Sequence, residues 1–97
     1  MSLEREDIRT ALKNKGFREK LKGDHDRYWL YVGEKQQAIF TKLSRGARYR
    51  TYGDDLVQAV AKQLKMTKPI LRKFVECTVS EADYLQHLRE SGVVLSE

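Results

Sequence analysis

A single cysteine, Cys77, is all the thiol in these 97 residues. That excludes an internal disulfide and a cysteine-based zinc site, and the expected compartment is the reducing cytoplasm. No apolar run approaches the roughly 20 residues that a membrane-spanning helix needs. The first residues are charged and carry no apolar secretion core, so secretion is not expected. There is no repeat and no low-complexity stretch. The one proline, Pro69, falls where the first turn of a helix tolerates it. Aromatics are few, at 9%, yet apolar residues recur at regular spacing, which argues against disorder.

What the chain has in quantity is positive charge. The net charge is +5, and it is unevenly spread. Residues 1–75 hold 18 Lys/Arg against 9 Asp/Glu, a balance of +9, while residues 76–97 hold one Arg and five acids, a balance of −4. The basic residues cluster in Arg9 to Lys22, Lys42 to Arg50 and Lys62 to Lys73. The middle stretch carries Lys42, Arg45, Arg48 and Arg50 without one acid. Such density suits a polyanion, because each neutralised phosphate releases counterions. A solvated basic surface that keeps a small protein dispersed is the plainer alternative.

Ile8, Ala11 and Leu12, continued by Phe17 past a turn, predict a helix over about 4–15. Its acids lie in the first turn and its lysines in the last, and Gly16 marks its stop. A short strand is expected over 17–22, ending at Gly23-Asp24. From His25 to Val32 the alternation is strict, with Asp26, Tyr28, Leu30 and Val32 on one face and His25, Arg27, Trp29 and Tyr31 on the other. Gly33-Glu34-Lys35 turns the chain into a returning strand over 36–43, completing a hairpin. A basic, aromatic loop follows over 44–53. Asp54 is expected to cap a helix to about Leu64, apolar at Leu56, Val57, Val60, Ala61 and Leu64. Thr67 starts another to about Val75, and Ser80-Glu81-Ala82-Asp83 reads as a capping box opening a last helix. The expected class is α+β, with helices on one face of a three-stranded sheet.

The sequence "ALKNKGF", the "GDH" that leads into an aromatic-rich strand, the hairpin, and "LVQAVAKQLKMTKPILRKFVE" together resemble the HicA family of mRNA interferase toxins. The likeness covers roughly residues 6–75. It implies a double-stranded-RNA-binding-domain-like fold, helix–three-stranded antiparallel sheet–helix, over residues 1–76. Residues 77–97 would then be a helical extension packed on the same domain. It also implies a toxin–antitoxin module in the cytoplasm, mRNA as substrate, a HicB-like antitoxin as partner, and His25 as the catalytic residue. Three features depart from the family pattern. Asp24 stands where serine is usual, "FTKLSRG" lacks the common Pro-x-His, and residues 77–97 exceed the minimal toxin.

Histidine is the side chain that ordinarily titrates near neutrality. Metal-free RNA cleavage needs a base at the 2′-OH, an acid at the leaving oxygen, and cations for the phosphorane. On the residues alone His25 could serve as base or acid, or be a turn histidine bonded to a backbone carbonyl. The resemblance is what makes it the expected catalytic group, set among RNA-binding residues Lys22, Arg27, Trp29, Tyr31, Lys42, Arg45, Arg48 and Arg50. The face carrying His25 and Arg27 is expected to be open, since Arg27 disfavours burial. No cofactor is expected. Asp24, His25 and Asp26 cannot converge on one metal ion, because neighbours along a strand point to opposite faces. His87 and Cys77 are expected to be packing residues, and Tyr49 and Tyr52 suit either core or site. Two alternatives stand beside the endoribonuclease: a catalytically silent RNA-binding module, and a protein-interaction domain with a basic face.

Overall fold

The computed structural model describes residues 2–22, 25–44, 46, 49–76 and 78–96, with Lys22 described by its backbone alone. The elements run β1 (Leu3–Glu4), α1 (Arg5–Asn14), β2 (Phe17–Lys22), β3 (His25–Val32), β4 (Lys35–Ser44), β5 (Thr51–Tyr52), α2 (Asp54–Gln63), α3 (Lys68–Val75) and α4 (Glu81–Glu90). The class is α+β: a three-stranded antiparallel sheet in the order β2-β3-β4, a two-stranded ladder of β1 with β5, and four helices among the described residues. No helix is long and apolar enough to cross a membrane.

Each helix buries the stripe its spacing prescribes: Ile8, Ala11 and Leu12 from α1, Val57, Val60 and Ala61 from α2, Leu71 and Phe74 from α3, and Tyr84 and Leu88 from α4. Period-two alternation in β3 and β4 sends Tyr28, Leu30, Ile39, Thr41 and Leu43 to the same side. α1 lies against β2 and α2 against β4, and α3 touches both helices. The last helix belongs to this core. Tyr84 lies 5.9 Å from Phe17 and 5.4 Å from Phe74, ring centre to ring centre, and its hydroxyl donates to the Leu64 carbonyl at 2.8 Å. The tail beyond it is tied back by Gln37. That side-chain amide donates to the Ser96 carbonyl at 2.6 Å and accepts from the Ser96 N–H at 2.8 Å.

Gly16 follows α1 with φ of 97°, a left-handed conformation that side chains resist. A Cβ there would also stand 2.9 Å from a carboxylate oxygen of Glu81. The residue thus lets the start of β2 and the start of α4 lie close together. Ser80 and Asp83 form the expected capping box of α4, and the Thr67 hydroxyl accepts from the Ile70 N–H at the start of α3.

Three expectations need correction. Asp54 is not a cap: Gly53 occupies that position with no side-chain bond. The Asp54 carboxylate instead accepts from Lys68 Nζ at 2.9 and 3.0 Å, which holds it below the usual carboxylate range. Leu56 is 38% exposed, because it sits beside rather than on the buried stripe of α2. The 44–53 segment also contains β5, which pairs with β1 ahead of the first helix. A two-residue ladder of such separation leaves no periodicity to read.

Candidate nucleic-acid interface

All four helices meet the face of the sheet that carries Phe17, Tyr28 and Thr41, and among the described residues no helix covers the side chains that alternate to the other face. Register decides what stands there. Lys20 opposes Arg27 across β2 and β3, and Arg27 opposes Lys42 across β3 and β4. Three cations therefore stand in one row across the sheet, at strand spacings of about 4.8 Å. Like charges placed directly opposite destabilise a sheet. No carboxylate pairs with Arg27 or Lys42 among the described residues. The Arg27 Nε is buried without a hydrogen-bond partner among them.

One row further along, Arg18, Trp29 and Phe40 are aligned. The Trp29 and Phe40 rings stack at 4.3 Å between centres with 20° between planes. Between Trp29 and Tyr31 the β3–β4 pairing shifts, so that Tyr31 meets Gln36. The shift adds two residues to β4, which preserves the alternation on both strands. The Tyr31 hydroxyl donates to Gln36 Oε1 at 2.9 Å, and that oxygen also accepts from Lys20. The Arg18 guanidinium lies 4.2 Å from the Tyr31 ring centre. Lys20 Nζ lies 5.7 Å from the Trp29 ring and 5.9 Å from the Tyr31 ring.

At the other end of β3, His25 is exposed and opposes Lys22 and Ser44. Ser44 opens the basic loop, which Arg5 anchors. One guanidinium nitrogen of Arg5 donates to the carbonyls of Ser44 and Gly46, each at 2.9 Å, and its backbone N–H donates to Arg50 at 2.8 Å. Tyr52 is buried, with its hydroxyl accepting from the Ser44 N–H at 2.8 Å, and Tyr49 packs against the core. These two tyrosines support the loop from beneath.

On the helix side of β3, directly behind this face, Asp26 is buried and meets Arg9 of α1 at 3.0 Å. Arg9 Nε also donates to the Tyr28 hydroxyl at 2.7 Å, and that hydroxyl donates to Glu19. Burial works against the Arg9 charge, but attraction to Tyr28 and Glu6 outweighs it and raises its pKa. Burial, then the bond to Glu19, pushes the Tyr28 phenol above its ordinary range. This network satisfies a buried carboxylate and fixes the strand whose opposite side carries the cationic row.

The structure thus brings His25, Arg27, Trp29, Tyr31 and Lys42 onto one open face, with exposed Arg50 on the adjoining loop. Asp24, Arg45, Arg48, Cys77 and the side chain of Lys22 lie outside the described residues. Sequence reasoning missed Arg18, Lys20 and Phe40. Alternation along 17–22 places Arg18 and Lys20 together, but only the register brings them beside Trp29 and Tyr31. His87 is remote from this face, its Nε2 lying 2.8 Å from the Lys65 carbonyl. A cavity of about 640 Å³ among the described residues is lined by residues of and around β1, α1 and α3, away from the three-stranded sheet. Comparison of the chain with protein-family models, with curated proteins and with solved structures finds no match.

Proposed function

We propose that this chain binds RNA across the open face of its sheet and cleaves it with His25, as an mRNA interferase toxin restrained by a HicB-like antitoxin. In that reading the fold is double-stranded-RNA-binding-domain-like, with α4 added. The observation that carries the proposal is the uncompensated row Lys20–Arg27–Lys42, with an exposed histidine at the head of the same strand. A polyanion turns this row from a cost into a binding site. The surface is open rather than a pocket, which suits a polymer.

Arg27 lies two residues beyond His25 on the same face, about 7 Å along the strand. A phosphodiester held by Arg27 would place its ribose within reach of the imidazole. His25 accepts the proton of the 2′-OH as that oxygen attacks phosphorus. The P–O5′ bond breaks, leaving a 2′,3′-cyclic phosphate, and the departing 5′-oxygen takes a proton from water or from the imidazolium just formed. Arg27 and its neighbours stabilise the phosphorane charge. One histidine serving both steps makes a slow enzyme.

The second reading, a silent RNA-binding module, draws support from the lack of a second histidine on this face. End-labelled RNA incubated with the protein in EDTA separates the two. Wild type is expected to cut the RNA, and His25→Ala to lose about 100-fold or more in rate while affinity changes less than about threefold. Retained binding with equal, negligible cutting by both proteins would overturn the catalytic claim. Absence of any salt-sensitive RNA binding would leave the protein-interaction reading in its place.

A further inference from the structure

We infer that the open face selects unpaired bases: single-stranded RNA stacks on the Trp29–Phe40 platform while its phosphates lie on the Lys20–Arg27–Lys42 row. This rests on the RNA-binding reading above and specifies its substrate class. A cationic row alone serves duplex and single strand equally, because both expose phosphates. The aromatic row separates them. Base faces are hidden within a duplex, whereas unpaired bases can be splayed onto flat side chains. A cross-strand aromatic pair would stabilise a hairpin without any ligand. Here, however, the pair sits in the middle of the open face, one row from Lys20, Arg27 and Lys42, which have no carboxylate partner among the described residues, while Arg18 in its own row is paired with Glu34 at 3.2 Å.

The geometry matches one extended chain. β2 and β4 lie two strand spacings apart, about 10 Å, so the face is a narrow strip. Along β3 the rows follow at two-residue intervals, each about 7 Å: His25, then Arg27 with its cations, then Trp29 with Phe40, then Tyr31. A nucleotide seated with its base on Trp29 has its phosphate beside the half-buried Arg27 and its neighbours in the row, Lys20 and Lys42. The next base reaches Tyr31, whose ring is already backed by Arg18 at 4.2 Å. The scissile linkage then falls toward His25.

Trp29 is the sole tryptophan, so intrinsic fluorescence reports this position alone. Full-length protein would be titrated with an unstructured 2′-O-methyl RNA of about 12 nucleotides, which lacks the nucleophilic hydroxyl, and with the same strand annealed to its complement. The single strand is expected to quench Trp29 and to bind at least about 10-fold more tightly than the duplex. By anisotropy of labelled RNA, Trp29→Leu should weaken single-strand binding about 10- to 100-fold. Its duplex affinity and salt slope should stay within about twofold. Trp29→Phe, which keeps a ring, should retain most of the affinity and checks that the loss is not unfolding. Equal or tighter duplex binding, or an unquenched Trp29, would overturn the inference while the RNA reading stands. Failure of both RNAs to bind at low salt would remove the RNA reading as well.

Discussion

Tyr84 shows how one buried polar atom ties this fold to pH. Its phenol is fully buried and donates to the Leu64 carbonyl, and burial raises its pKa above the ordinary value. A group whose pKa is raised on folding gives stability that is present below the unfolded value, about 10 for tyrosine. That stability is lost as pH climbs through the folded value. Urea unfolding of wild type should therefore weaken above about pH 10. Tyr84→Phe should cost about 1 kcal/mol at pH 7 through the lost hydrogen bond, and should decline less steeply above pH 10. Equal slopes for the two proteins would show that Tyr84 ionises as freely in the folded state as in the unfolded one. The same scale holds Asp26, a carboxylate on the buried side of β3 that the alternation alone would call misplaced. Arg9, seventeen residues earlier on α1, is what makes its burial tolerable.

Between elements, Lys15 carries more than its place at the end of α1 suggests. Its ammonium group is buried, donates to the Phe74 carbonyl and, at 2.7 Å, to the Val79 carbonyl, and stands 4.6 Å from the Phe74 ring centre. One side chain thus satisfies carbonyls at the end of α3 and in the link to α4, with its charge placed where the α3 dipole favours a cation. Lys15→Met keeps the length and removes the donors. It is expected to lower unfolding free energy by about 2–3 kcal/mol in urea, since the freed carbonyls stay buried. A loss under about 0.5 kcal/mol would mean that water replaces the ammonium without cost. In the sequence Lys15 reads as a last-turn lysine whose charge suits the helix dipole. Periodicity reports which face of α1 points inward, and it says nothing about which carbonyls a long side chain reaches after Gly16 turns the chain.

For the molecule as a whole, the charge distribution trades stability against binding. Lys42→Gln removes one cation from the row on the open face. It should raise unfolding free energy by a few tenths of a kcal/mol, because cross-strand repulsion falls. It should also weaken RNA binding and flatten the dependence of log affinity on log salt by about 0.7, the value for one phosphate contact on a single strand. A variant that gains stability and keeps the full salt slope would exclude Lys42 from the contact.

How much of this was legible depends on the range of the interaction. Helix stripes, the β3–β4 hairpin, the capping box at Ser80 and the shared face of His25, Arg27, Trp29 and Tyr31 were readable, because each follows from spacing within about ten residues. The β1–β5 ladder, the Lys68 partner of Asp54, the Arg5 anchor of the basic loop and the Lys15 bridge were not. Each joins residues that only the folded chain brings together. The sequence by itself determined the class of elements, the burial stripe of each helix apart from Leu56 in α2, and the excess of positive charge. Tertiary structure decided that the helices share one face, and that Lys20, Arg27 and Lys42 fall in one row beside the Trp29–Phe40 stack. Strand register and helix docking are long-range choices, set by the packing of the whole core and not by any local period.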